Sequence, residues 1–205
     1  NAFIGMTELA LLTELTTEQR EYLGIAKESA ESLLRLLNDI LDLSKIEAGK
    51  IEIDYVEFDL PELIEDTMKA LSVRATQKGL QLVWQPPQEV RRHVMGDPVR
   101  LRQVLINLVD NAIKFTEQGK ITVSVEPQWQ TDDEIGLQFS VADTGIGIPA
   151  DELDRIFEGF TQGDSSTTRR FGGTGLGLTI SSHLVQVMQG QMSVKSKPGR
   201  CSTFC

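Results

Sequence analysis

The chain has 205 residues, 24% charged and 40% hydrophobic, enough for one sizeable core, or one domain with an appended helical element, and unlike a disordered or fibrous chain. No apolar run approaches the roughly 20 residues of a membrane span, and no signal-peptide pattern opens the sequence. A net charge of -10, from thirty acids and twenty bases, argues against a general nucleic-acid binder.

The charge is unevenly spread. Residues 1–60 hold thirteen acids and five bases, whereas residues 61–205 hold seventeen and fifteen. An acidic arm therefore precedes a nearly neutral body. In the arm, Phe3 to Leu12 is a short apolar segment, with a turn at 13–16. Thr16-Thr17-Glu18-Gln19 offers a capping box that starts a longer helix. Leu23, Ala26, Ala30, Leu33, Leu37 and Ile40 then recur at alternating spacings of three and four, widened on one flank by Leu34 and Leu41. Gly49 ends the pattern. The result is a helical hairpin over residues 1–50. Its wide stripe needs a partner: a second copy forming a four-helix bundle, or the body of its own chain.

In the body, 51–205, the strand-like stretches are 56–60, 80–84, 120–126, 136–142 and 191–195, and Val94-Met95 is also strand-like. The helical stretches are 62–77, 98–115, 149–157 and 176–189, with loops at 86–87, 132–133 and 163–173. The elements do not alternate strictly, so an α+β, two-layer α/β sandwich is favoured over a doubly wound sheet. Cys201 and Cys205 would lie about 13 Å apart on an extended strand, too far for an unstrained disulfide. Reduced thiols in a cytoplasmic setting fit better. The chain stops inside a strand-like segment, which suits a piece of a longer protein.

Three clusters carry chemistry. Asn107, Asn111 and Lys114 share one face of the helix 98–115, offering amide oxygens suited to a hard cation and an ammonium suited to phosphate, or else forming a solvated face. Asp143-Thr144-Gly145-Ile146-Gly147-Ile148 follows a strand; the acid suits an exocyclic amine and the glycines admit a planar ring, or else this is an ordinary turn. Gly172-Gly173-Thr174-Gly175-Leu176-Gly177 leads into a helix whose N-terminus suits an anion. It is neither a Walker loop nor a convincing Rossmann fingerprint.

In this order, and with Phe157-Glu158-Gly159-Phe160 between the second and third, the clusters resemble the asparagine box, the two glycine boxes and the phenylalanine box of the sensor histidine kinases of hybrid type. The arm agrees: Asn1 to Met6 resembles the residues just after that family's phosphoacceptor motif, and Leu41 to Gly49 the end of its second dimerisation helix. The resemblance covers essentially the whole chain. It implies a Bergerat-type ATP-binding domain over 51–205, with a lid at 158–174, preceded at 1–50 by a truncated dimerisation and phosphoacceptor hairpin.

The resemblance further implies that Asn111 coordinates Mg²⁺ on the ATP phosphates, with Asn107 in support. Lys114 would contact phosphate, Phe115 would pack near adenine, and Asp143 would accept the adenine amino hydrogen. Gly145, Gly147 and Ile148 would shape that pocket. Phe160 belongs to the lid side, and Arg169 and Arg170 of the lid would be partners for the phosphates. Gly173, Thr174, Gly175, Leu176 and Gly177 would cradle the phosphates, and Thr203 matches a final Ser/Thr near adenine. Related ATPases of the gyrase and Hsp90 kind carry a glutamate where Asn107 stands. An asparagine has no useful basicity, so phosphoryl transfer to a histidine is favoured over rapid hydrolysis.

The sequence departs from the family in three places. By the resemblance the phosphoacceptor histidine would fall seven residues before Asn1, and His93 and His183 lie in unrelated contexts, so this chain alone is expected not to autophosphorylate. Cys201 replaces a glycine and Gly159 a proline. The implied partners are a second copy through the N-terminal helices and a response-regulator receiver domain, with no nucleic acid. The implied location is cytoplasmic, with inner-membrane anchoring of a longer protein left open.

Overall fold

A computed structural model describes residues 2–86, 90–131, 134–153, 155–158 and 175–205. The chain forms two compact units, Asn1–Lys50 and Ile51–Cys205. The first holds α1 (Ala2–Leu11) and α2 (Thr17–Glu47). Thr16 caps α2 reciprocally: its hydroxyl accepts the Gln19 N–H at 3.1 Å, and the Gln19 side chain accepts the Thr16 N–H at 3.0 Å. Lys27 pairs with Glu8 at 2.8 Å, and the Arg20 guanidinium donates to the Leu11 carbonyl at 3.1 Å, tying the two helices together. At 1.5 Å per residue, α1 is about 15 Å long and α2 about 46 Å. Only part of the seam of α2 lies within reach of α1. Leu23, Ala26 and Ala30 are half-buried, whereas Leu33 is 68% exposed and Leu37 56% exposed.

The second unit contains β1 (Val56–Asp59), α3 (Leu60–Gln77), β2 (Gln81–Gln85), β3 (His93–Gly96), α4 (Pro98–Phe115), β4 (Lys120–Gln130), β5 (Ile135–Asp143), α5 (Gly177–Val187), β6 (Val194–Lys197) and β7 (Cys201–Phe204). β1 and β3 form a two-stranded antiparallel ribbon. The main sheet runs β2-β4-β5-β7-β6; β2 is parallel to β4 and the other pairs are antiparallel. Alternate residues Ile121, Val123, Val125 and Val141 are buried with Leu63, Ile64 and Leu71 of α3, Leu105, Leu108 and Val109 of α4, and Ile180 and Leu184 of α5. α4 packs on β4, β5, α3 and α5, and so occupies the centre of the helical layer. This is the α+β sandwich expected from the element pattern.

Three helices end alike. After α2, α3 and α5, the residues Gly49, Gly79 and Gln189 take φ of 63°, 74° and 64°. In each case this N–H and the next close back on the last turn, as in Schellman motifs.

The stretch 149–157, expected to be helical, is a run of turns in its described residues. Glu152 N–H donates to Pro149, Arg155 to Glu152 and Glu158 to Arg155, each across three residues. So short a segment gains too few i to i−4 bonds to offset helix nucleation. β4 runs four residues beyond its expected end. Pro127, which lacks an N–H, shifts its register, and the Trp129 indole then lies over Gly136. β3 emerges around the strand-like Val94-Met95 pair, and β6 begins at Val194 rather than at Gln191 before the chain closes on β7.

Candidate functional site

The site is built on α4. Asp97, 6% exposed, caps the helix: its carboxylate accepts the N–H groups of Val99 at 3.0 Å and Arg100 at 2.9 Å. The same carboxylate accepts the Asp54 N–H at 3.2 Å. At the other end the Lys78 ammonium donates to the carbonyls of Ile113 at 2.6 Å and Lys114 at 2.7 Å, where a cation offsets the helix dipole. With Val104, Leu105, Leu108, Val109, Ala112 and Ile113 turned into the core, Asn107, Asn111 and Lys114 are left half-buried on one face.

Each end of this face meets one glycine segment. At the N-terminal end the Asn107 amide lies against Gly177, where a Cβ would overlap its Oδ1, and the Asn107 NH₂ group donates to the Ser181 hydroxyl at 2.8 Å. Gly175, at φ 69°, turns the chain into α5, and Leu176, 1% exposed, seats its first turn. At the other end the Phe115 carbonyl accepts the Ile146 N–H at 3.2 Å, and a Cβ on Gly145 would collide with it. From Asn107 to Phe115 the helix rises about 12 Å. The two glycine segments thus meet opposite ends of one helical face.

Asp143 ends β5, 7% exposed. It accepts the Gly145 N–H at 2.8 Å and the backbone N–H of Ser202. Burial pushes its carboxyl above the usual carboxylate range, against the downward pull of those two N–H groups. The loop 145–148 is latched to the β6–β7 turn. Ile148 N–H donates to the Ser196 hydroxyl at 2.8 Å, Gly199 N–H donates to the Ile146 carbonyl at 2.6 Å, and Gly147, at φ 67°, leaves no room for a Cβ beside the Lys197 carbonyl. The Ser196 hydroxyl donates to the Cys201 carbonyl at 2.9 Å and lies 3.0 Å from the Ser202 hydroxyl. The Lys114 ammonium sits 4.7 Å from the centre of the Phe115 ring, and its burial lowers its pKa.

Of the residues expected to form the site, Asn107, Asn111, Lys114, Phe115, Asp143, Gly145, Gly147, Ile148, Gly175, Leu176 and Gly177 are described, and the contacts above link them around α4. Phe160, Arg169, Arg170, Gly173 and Thr174 lie outside the described residues, as does the expected lid 158–174 beyond Glu158. Thr203 is a correction. It pairs with Ala142, and Ser202 pairs with Asp143, so strand alternation turns Thr203 to the face opposite Asp143 and puts Ser202 beside it. Ser181, Ser196 and Ser202 are the polar residues that the motifs did not single out. Ser202 shares the inward face of β7 with Phe204, opposite Asp143 and Val141 of β5, and it is this register that brings it to the site.

The residues present suit a nucleotide with a cation. A buried carboxylate next to glycine-flattened backbone suits an exocyclic amine on a planar base. Asn111 is half-buried on the same face of α4 as Asn107 and Lys114. Among the described residues no three His, Cys, Asp or Glu come together; the amide oxygens of Asn107 and Asn111 are of a kind that suits a hard cation.

Comparison with known proteins gives one consistent answer. Residues 96–205 match the family described as "Histidine kinase-, DNA gyrase B-, and HSP90-like ATPase", and residues 1–49 match "His Kinase A (phospho-acceptor) domain". The chain is 44% identical over 204 residues to the signal transduction histidine-protein kinase BarA of Escherichia coli K12, covering 100% of this chain and 22% of that protein. It is 42% identical to hybrid signal transduction histidine kinase L of Dictyostelium discoideum, covering 98% of this chain and 12% of that one. The chain therefore spans about a fifth or less of the length of these curated relatives. Among solved structures, full-length ShkA in complex with AMPPNP superposes with a TM-score of 0.78 at 36% identity, covering 98% of this chain and 41% of that one.

Proposed function

This chain belongs to the sensor histidine kinases, and on that premise we propose that its second unit binds Mg²⁺–ATP and supplies the γ-phosphoryl group to a histidine, from which it passes to an aspartate of a response-regulator receiver domain. The observation that carries the proposal is the bridging role of α4, whose single polar face touches one glycine segment through Asn107 and the other through the Phe115 carbonyl. Asp143 holds the adenine amine. Lys114, Asn111 and the start of α5 at Gly175-Leu176-Gly177 serve the phosphates, and Asn111, with Asn107 in support, holds the Mg²⁺. When bound, that ion neutralises phosphate charge. The lid assigned to 158–174, with Phe160, Arg169, Arg170, Gly173 and Thr174, belongs to the same proposal.

Asn107 stands where a hydrolase of this fold would need a base. Its amide is already engaged with Ser181 and has no useful basicity, so it cannot activate water. Transfer then rests on positioning and charge neutralisation. Residues 1–50 serve as the dimerisation hairpin, with Leu33, Leu37, Ile40 and Leu41 presented to a second copy. The phosphoacceptor histidine is assigned upstream of Asn1. A cytoplasmic location completes the proposal; no helix among the described residues is long and apolar enough to cross a membrane.

The test is labelling with γ-³²P-ATP of a chain extended upstream to include the family's histidine. Acid-labile, base-stable phosphate on that extended chain supports the proposal. A folded, ATP-binding chain that stays unlabelled refutes it.

A further inference from the structure

The Asn107 amide is held from two sides by α5. Gly177 leaves the space in which the amide lies, and Ser181, one turn further along and 2% exposed, accepts a hydrogen bond from its NH₂ group at 2.8 Å. Residues 177 and 181 share a helix face, so one stripe of α5 receives the whole side chain. An amide has two unlike ends. With Nδ2 committed to Ser181, Oδ1, which lies against Gly177, is the end left to accept from a donor or to face a cation.

We propose that Ser181 is a positioning residue for the metal–nucleotide complex: by accepting the Asn107 NH₂ hydrogen bond, it fixes which end of that amide faces the site and so favours Mg²⁺–ATP over metal-free ATP. The inference rests on the nucleotide-binding reading given above. Asn107 and Asn111 are one turn apart on α4, so an Asn107 locked as an oxygen donor gives this face a consistent cation-accepting character. Without the Ser181 hydroxyl the amide is free to rotate, and its NH₂ group would then oppose a cation. Ser181→Ala takes the partner from the half-buried Asn107 NH₂ group but leaves no charge unpaired, so the fold is expected to survive the change.

The test compares the 205-residue chain with Ser181→Ala and Ser181→Thr. Calorimetric affinity for ATP is measured once with excess Mg²⁺ and once with chelator, and thermal melting checks the fold. Ser181→Ala is expected to weaken Mg²⁺–ATP by about tenfold, the worth of one lost hydrogen bond, while metal-free ATP changes less than about twofold. Ser181→Thr, which keeps the hydroxyl, is expected to hold the wild-type ratio between the two conditions. Ser181→Cys, nearly isosteric but a poor acceptor, should follow alanine and keeps the test open if threonine does not fold. Equal loss in both conditions, or unchanged Mg²⁺–ATP affinity in a folded alanine variant, overturns the proposal. A wild-type chain that binds ATP in neither condition overturns the nucleotide reading as well.

Discussion

Gly145 lies against the carbonyl oxygen of Phe115 so closely that a Cβ at 145 would overlap it, and that same oxygen accepts the N–H of Ile146. The end of α4 and the loop after β5 therefore fit together only through a glycine.

Gly145→Ala should separate these two segments. The expected cost is about 1–3 kcal/mol of stability, typical of overpacking, together with a marked loss of ATP affinity. Gly24→Ala is the control. It sits within α2 with nothing within 4 Å of its added Cβ, so it should stabilise that helix by up to about 1 kcal/mol. Thermal melting and calorimetry on both variants check the contrast.

The end of α5 is less well made. Gln189 takes the left-handed conformation that Gly49 and Gly79 fill after α2 and α3. An L side chain there costs roughly 1–2 kcal/mol, so Gln189→Gly is expected to recover about 1 kcal/mol and raise the melting temperature by a few degrees. No rise in melting temperature would show that the left-handed turn is not strained.

The exposed lower seam of α2 makes the oligomeric state testable. Leu33→Glu combined with Leu37→Glu should convert a dimer to a monomer in light scattering while leaving ATP affinity of the second unit unchanged. A wild-type chain that is already monomeric at micromolar concentration would remove the dimer assignment.

Much of the architecture is legible because its signals are local. Thr16 with Gln19 and the terminal glycine after α2 announce helix ends, and the buried stripe of α4 follows its period of 3.6. The charge pattern is a coarser guide. Of the thirteen acids in residues 1–60, Glu52, Asp54, Glu57 and Asp59 fall after Lys50, in the second unit, with no base among residues 51–60. Asp59 has a structural role there. It caps α3 through the Glu62 N–H and pairs with Arg92, and both contacts hold its carboxyl below the ordinary range.

What stays illegible depends on long-range contact. Ser181 meets Asn107 across 74 residues, and Ser202 finds Asp143 only through the β5–β7 register. A serine in a helix or strand carries no such information by itself. The expectation for Thr203 fails for the same reason, since a shift of one residue reverses the face of a strand.

Asp143 links stability and binding with a definite sign. Its folded pKa is raised, so its protonated form stabilises the fold fully below the unfolded carboxylate pKa, and that contribution is lost as pH rises through the folded value. Asp143→Asn removes this dependence. At neutral pH the variant is expected to melt no lower than wild type, and its advantage should shrink on acidification. A variant that melts well below wild type at neutral pH would show that the carboxylate holds the fold as well as the ligand.

Because Asp143→Asn is expected to stay folded, it gives the most direct test of the central claim: titration of ATP and GTP, each with excess Mg²⁺, into the wild-type chain and into Asp143→Asn. The wild type should bind ATP and prefer it to GTP by at least about tenfold, since guanine presents a carbonyl where adenine presents an amine and a carboxylate repels it. Asp143→Asn should lose most of the ATP affinity and that preference. Equal binding of ATP and GTP by the wild type, or undiminished ATP affinity in a folded Asp143→Asn chain, would contradict the account.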